Sequence, residues 1–357
     1  MTGIIFQLNL NDFVKINGNV SMKIYRSLRS GWVVVLLAVS VQSQHPAAGS
    51  VNYTHLLLDY DARSIGMAGA SVAVPGKSIG VFSNPAVTAT VSGMEGFVGY
   101  QMILDGVWGA PLGVAREFPG IGIFTVALQG VTTGEIEVVE KGLDTEPVYT
   151  GQTVYDQYIS SGISFARTFF NDQLRTGITL KGLYHRLTGN EDRYSTKAVA
   201  FDLGVQYLLL RERLVVGAVI RNAGVELSGY SYPLPLLFEA GISYVPRYLP
   251  AVRLALDVNK ITGEYLGFEP GVEIEIYPQV LLARFGYSFS QSDLFEQFRK
   301  LSGNQDENYQ KSNWSSFCTG IGIRTGVQQV KIQVDIGLEF RVSFLPPSPV
   351  VSAVVEF

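Results

Sequence analysis

The chain has 357 residues, with 27 basic against 31 acidic side chains and a net charge of −4. Only 16% of its residues are charged, while 38 are glycine and 11% are aromatic, a charge density low for a soluble globule. There is no Lys/Arg cluster to mark a nucleic-acid surface, and the one cysteine, Cys318, excludes an internal disulfide and a cysteine-rich zinc site. No run of 18 apolar residues occurs beyond the N-terminal region, which argues against helical spans. High glycine and aromatic content with low charge and no long apolar runs fits a transmembrane β-barrel.

Residues 1–21 differ from the rest of the chain and read as an over-long N-terminal extension. Met22 opens a better start: Lys23, Arg26 and Arg29 form a basic region, Trp32 to Val41 a short apolar core, and Val41-Gln42-Ser43 a small-residue cleavage site. This predicts a secretory signal peptide over 22–43. Export combined with a barrel implies the outer membrane of a bacterium with two membranes.

Residues 44–95 lack strand alternation and are dominated by small residues, as in Ala62 to Pro75. Glycine and alanine permit close backbone packing, and Asn84-Pro85 signals a turn and a helix start. The segment is expected to fold into the barrel lumen as a plug, with Arg63, Gly66, Met67, Gly69, Asn84, Pro85 and Ala86 as its marked positions.

From residue 96 to 357, period-two strands succeed one another. The clearest runs through Val330, Ile332, Val334, Ile336, Leu338 and Phe340 on one face and Lys331, Gln333, Asp335, Gly337 and Glu339 on the other. It exceeds the roughly 9–11 residues that a tilted strand needs to cross a bilayer. About fourteen strands are predicted, at 96–104, 107–117, 120–131, 154–169, 173–188, 197–210, 213–227, 236–245, 251–260, 264–277, 279–291, 314–326, 328–342 and 349–357. Loop length alternates: tight connections sit near Phe118-Pro119, Asn171-Asp172, Glu212, 246–250, Pro278 and Gln328, and longer ones at 132–153, 189–196, 228–235, 292–313 and 343–348. Bacterial barrels sort their connections in this way, with the short turns periplasmic. The final strand carries Val355 and Phe357, expected as the signal read by the barrel-assembly machinery. The predicted fold class is therefore all-β, an antiparallel transmembrane barrel of about fourteen strands with a small N-terminal plug and outer-membrane lipid as its surroundings.

No constellation carries chemistry. The histidines, His45, His55 and His185, have no serine or cysteine partner in a usable arrangement, acidic residues lack calcium-loop spacing, and Gly320 and Gly322 lie within a strand pattern. A non-enzymatic chain without cofactor or metal is expected. The inward positions instead show charges of both signs: Lys181, Arg221, Arg284 and Lys331 with Arg175, Arg253 and Arg341, against Asp202, Asp257, Glu269, Glu273, Glu275, Asp335 and Glu339. Mixed charges pair across a lumen and hold a plug, whereas an ion-selective pore shows a ring of one sign.

The stretch from Arg63 to Ala70 (R-S-I-G-M-A-G-A), with Asn84-Pro85-Ala86 beyond it, resembles the N-terminal signature of the PorV/PorQ family, relatives of the FadL-type barrels. The similarity continues through Gly177 to Tyr184, Phe201 to Tyr207, Leu214 to Gly224, Pro233-Leu234-Pro235 and the closing strand. The resemblance implies a component of type IX secretion that receives exported cargo, with other secretion components as partners. Outer loops would then be the working surface, and Leu294, Phe295 and Phe298, at helical spacing in loop 292–313, are the docking candidates. The alternative implied by the wider superfamily is a channel for passive uptake of hydrophobic small molecules.

Overall fold

The structure is a computed structural model that describes residues 51–141, 147–189, 193–210, 212–229, 232–291, 315–327, 329–341 and 346–357. Fifteen strands occur among the described residues: β1 (Met94–Leu104), β2 (Val107–Phe118), β3 (Gly122–Thr132), β4 (Ile136–Lys141), β5 (Pro147–Phe169), β6 (Leu174–Thr188), β7 (Arg193–Leu209), β8 (Leu214–Glu226), β9 (Leu237–Tyr244), β10 (Val252–Ile261), β11 (Leu266–Tyr277), β12 (Leu281–Ser290), β13 (Ser316–Val327), β14 (Val330–Arg341) and β15 (Ser348–Glu356). Neighbours in sequence pair antiparallel, with one exception. β3 skips β4 and pairs with β5, Leu128 opposite Ser161. β1 pairs with β15, Phe97 opposite Val354. These two pairings close a ring of fourteen strands and leave no edge, the condition a sheet must meet where no water can satisfy its rim.

Alternation decides which way each strand faces. On β14, Val334, Ile336 and Phe340 are exposed while Gln333 and Asp335 are buried. On β7, Val199, Phe201, Leu203, Val205 and Tyr207 point outward, and Ala198, Ala200, Asp202 and Gln206 point inward. The outer wall is thus an apolar belt and the inner wall a mosaic of small and polar side chains. Cys318 is inward and buried beside outward Phe317.

One stretch differs from the sequence expectation. Within 132–153, expected as one of the longer loops, β4 pairs with the first part of β5, Ile136 opposite Val154, beyond the barrel ring. The reason lies in composition, since Ile136, Val138, Val139, Val148, Thr150, Thr153 and Val154 are β-branched and favour extended backbone despite the intervening acids.

Residues 51–93 run inside the ring. A short helix α1 (Ala62–Gly66) lies against β12 to β15, and 3-10 turns at Ser78–Phe82 and Pro85–Thr90 lie against β1 to β3 and β3 and β5 to β7 respectively. Side chains cap the starts of α1 and of the Pro85–Thr90 turn. Asp61 accepts from the Arg63 N–H at 3.0 Å, and Asn84 Oδ1 accepts from the Ala86 N–H at 3.0 Å with Pro85 in the first helical position. The wall makes room by omitting side chains. A Cβ on Gly177 would lie 2.4 Å from the Pro85 carbonyl carbon, and one on Gly286 would lie 2.3 Å from that of Met67.

Gly177→Val and Gly286→Val test this close approach. Valine suits a strand better than glycine, yet each change should loosen residues 51–93. Limited proteolysis should show new cleavage in that segment while the barrel keeps its heat-modifiable mobility on a gel. Unchanged protection would mean the segment is not seated on these glycines.

Candidate functional site

The inner segment is fastened to the wall by charge. Arg63 makes two parallel bonds to one carboxylate, Nε to Glu273 Oε2 at 2.8 Å and Nη2 to Oε1 at 2.7 Å, and its Nη1 donates to Pro75 O at 2.7 Å. Arg284, fully buried, donates from Nε to the same Glu273 Oε2 at 2.8 Å and from Nη1 to Asp335 Oδ1 at 2.7 Å. Gln333 closes the chain onto Asp335 Oδ2 at 2.7 Å. Bidentate, charge-assisted bonds of this kind fix orientation as well as position.

Wall side chains also satisfy backbone groups of the inner segment. Asp257 Oδ2 accepts from the N–H groups of Ser71 and Val72 at 2.7 and 2.8 Å. Glu95 accepts from the Ser78 N–H at 2.8 Å, and Arg221 donates to Phe82 O at 2.8 Å and to Glu239 at 3.2 Å. Gln206 Nε2 donates to Val72 O at 2.9 Å, as does Asn84 Nδ2 from within the segment itself at the same distance. A buried irregular backbone needs such partners, because each unpaired polar group costs about 1–3 kcal/mol.

On β8 a bulge turns Arg221 and Asn222 inward together, opposite Asp202. Asn222 has φ 61, its N–H donates to Asp202 at 2.8 Å, and Lys181 reaches both Asp202 and Asn222, at 2.7 and 2.8 Å. The sequence signal is a phase switch: outward apolar positions run Val216, Ala218, Ile220 and then Ala223, Val225. At the other end of the lumen, Tyr53 bonds Thr196 at 2.7 Å and the rings of Tyr158 and His185 stack at 4.1 Å, with His55 against Tyr158 at 4.6 Å. His185 is inward and contacts Asp156 at 2.5 Å.

Of the other plug positions marked in the sequence, Gly66 packs against β12 and β13 and Met67 against β11 and β12, Gly69 lies under the Glu269 carboxylate, and Ala86 is buried. Glu269 accepts from Asn259 at 2.6 Å, and carboxylate oxygens of Glu239, Asp257 and Glu269 approach within 4.8 Å of one another. Sequence alone does not single out Glu239, since only the β9–β10–β11 register brings the three together. Glu275 lies at the rim and accepts from the Gln279 N–H at 2.5 Å, while Glu339 pairs with Arg341 at 3.1 Å. Lys331, expected among the lumen charges, has the inward register but stands at the rim of the wall, its side chain 72% exposed beside Glu356. Val355 is half-buried and Phe357 exposed at the same end. Leu294, Phe295 and Phe298 lie outside the described residues.

Two cavities flank this arrangement. One, of about 430 Å³, lies between the underside of the inner segment and the short connections, and is rich in arginine. The other is a shallow apolar depression of about 660 Å³ across β7 to β10, bordered by outward Leu203, Val205, Ile220 and Phe238 with the small Ala218 and Ala240 between them.

No family model and no curated protein matches the sequence. Solved structures do. The Pseudomonas putida toluene transporter TodX superposes with a TM-score of 0.55 at 13% identity, over 84% of this chain and 98% of that one. The Ralstonia pickettii toluene transporter TbuX gives 0.53 at 11%, over 82% and 96%, and the monoaromatic hydrocarbon channel CymD gives 0.54 at 13%, over 83% and 97%. The fold is thus shared with these three channels. In this barrel the lumen is occupied by the chain's own residues 51–93, held by the Arg63–Glu273–Arg284–Asp335 network.

Glu273→Gln should destabilise the protein by about 3–5 kcal/mol, because it leaves buried Arg63 and Arg284 short of a counter-charge. Urea unfolding in detergent micelles checks this. A loss below about 1 kcal/mol would show that water, not Glu273, solvates the two guanidinium groups.

Proposed function

We propose that this protein is a non-enzymatic outer-membrane channel for passive uptake of hydrophobic small molecules, with residues 51–93 as its plug. The observation that carries the reading is the closed fourteen-strand ring with a chain segment inside it, in a chain whose fold is similar over more than four fifths of its length to TodX, TbuX and CymD. The apolar outer belt suits lipid, and a ring without edges is what a sheet needs there. Lumen charges of both signs are present and many of them pair, as Arg63 and Arg284 do with Glu273 and Asp335 and Lys181 with Asp202, which suits an anchored plug and not an ion-selective pore. The apolar depression over Ala218 and Ala240, on the outer wall alongside the bulged strand β8, offers a hydrophobic solute a place to concentrate at the barrel surface.

The PorV/PorQ resemblance and its secretion role rest on motifs that have mechanical duties in this barrel. Arg63 clamps Glu273, Asn84 caps and ties the segment to Val72, and Gly177 makes room for Pro85. Such motifs report how a plug is seated, whatever the barrel transports, so they do not favour cargo docking over solute passage.

Cells with a lipopolysaccharide outer leaflet that express the chain should take up a labelled monoaromatic faster than cells without it. Filling the depression with A218W/A240W should slow that uptake several-fold while the unfolding midpoint stays put. Deleting 51–93 should raise single-channel conductance in planar bilayers. Uptake equal to the empty control, with secreted proteins failing to reach the surface when the chain is removed, would replace the channel reading with the secretion one.

A further inference from the structure

The arginine-rich cavity has more donors than its own acids can use. Arg253 donates to Ser243 Oγ at 2.9 Å, and Arg324 to Gln333 Oε1 at 3.0 Å. Both acceptors are neutral, and neither guanidinium has a carboxylate within ion-pair distance among the described residues. Arg175 is buried; its Nη2 contacts Glu212 at 2.5 Å, but its Nε and Nη1 have no acceptor among the described residues. The acids that line the cavity are already engaged. Glu273 serves Arg63 and Arg284, Glu212 serves Arg175, and Glu275 takes the Gln279 N–H. The charges of Arg63, Arg253 and Arg324 are close enough to bear on one another, and Glu273, Glu212 and Asp335 offset them in part.

Guanidinium groups gathered in this way repel unless an anion joins them. They come from β6, β10 and β13, on different parts of the wall, so the matching anion must offer oxygens in several directions. A carboxylate presents one plane; a phosphate presents a tetrahedron, and arginine forks bind it in pairs of parallel bonds. The volume of about 430 Å³ exceeds what one phosphate needs and falls within the roughly 300–1,000 Å³ of ligand pockets. Val245, Pro250 and Leu282 supply an apolar side to the same cavity.

We propose that this cavity is a binding site for a phosphate-type oxyanion, either free in solution or as the head group of a phospholipid. The site is separate from the solute path proposed above and does not depend on it. Bound there, the anion would bridge wall strands β6, β10 and β13 beneath Pro75 and Gly76 of the inner segment, adding a lock at the mouth opposite the long loops.

The test uses the full chain purified in a non-ionic detergent, with equilibrium dialysis against orthophosphate and, separately, against a short-chain phosphatidic acid below its micelle concentration. Saturable binding of at least one probe is expected. Orthophosphate binding identifies the free anion as sufficient; binding of the phosphatidic acid alone identifies the head group. R253Q/R324Q should weaken the bound probe by about tenfold or more, since charge-assisted bonds from both forks are lost. R253K/R324K, which keeps the charge and loses the fork, should fall between and provides the comparison if the glutamine variant does not fold. No saturable binding of either probe to the unsubstituted protein overturns the proposal, as does unchanged affinity in the variants.

Discussion

One shared carboxylate organises the interior. Glu273 on β11 takes a bidentate bond from Arg63 of the inner segment and a third bond from Arg284 of β12, whose other arm reaches Asp335 on β14. Two buried cations and two buried anions thus form a chain across three wall strands and the segment they hold. Removing charges from water is costly, and a buried pair offsets that cost only with good geometry and complete hydrogen bonding. Here the geometry is supplied by the sheet: adjacent strands hold Glu273 and Arg284 directly opposite one another. The barrel must therefore be formed, at least over β11 to β14, before Arg63 has its site.

The rest of the interior reflects the same need to satisfy an irregular backbone away from bulk water. The segment 51–93 has little regular structure, so its N–H and C=O groups find acids and amides on the wall: Asp257 for Ser71 and Val72, Glu95 for Ser78, Arg221 for Phe82, Gln206 for Val72. Where the two backbones approach most closely, the wall carries glycine, as at Gly177 and Gly286. Polar wall residues and glycines are thus two answers to one packing problem, and both belong to the inner face. The outer face, which has no backbone of the inner segment to satisfy, stays mostly apolar.

Much of the fold was legible from alternation. The fourteen ring strands lie within a few residues of their predicted spans, except that β5 starts seven residues earlier, because a half-buried strand shows its period in the sequence itself. The hairpin of β4 was missed since its acids masked a β-branched pattern. The interior was legible in kind but not in pairing. Asn84-Pro85 announced a cap by local chemistry, while nothing local joins Arg63 to Glu273 across 210 residues. Cross-strand groupings such as Glu239, Asp257 and Glu269, or Arg324 with Gln333, need the register. Lys331 shows the converse limit: the period gave its face correctly but not the height at which the wall ends.

The bulge on β8 ties these levels together. Its extra residue shifts the outward phase from Ile220 to Ala223 and so places Arg221 and Asn222 side by side within the lumen. A regular strand would send one of them outward, a polar group on an apolar belt. By turning both inward, the bulge gives Lys181 and Asp202 a third partner and leaves Arg221 free to hold Phe82 and Glu239. On the outer wall, the same strand and its neighbour carry Ala218 and Ala240, where larger side chains would fill the surface, and the apolar depression is the result. The bulged strand is therefore the one along which the inner segment's anchoring and the wall's apolar hollow lie back to back, the bulge re-aiming its side chains.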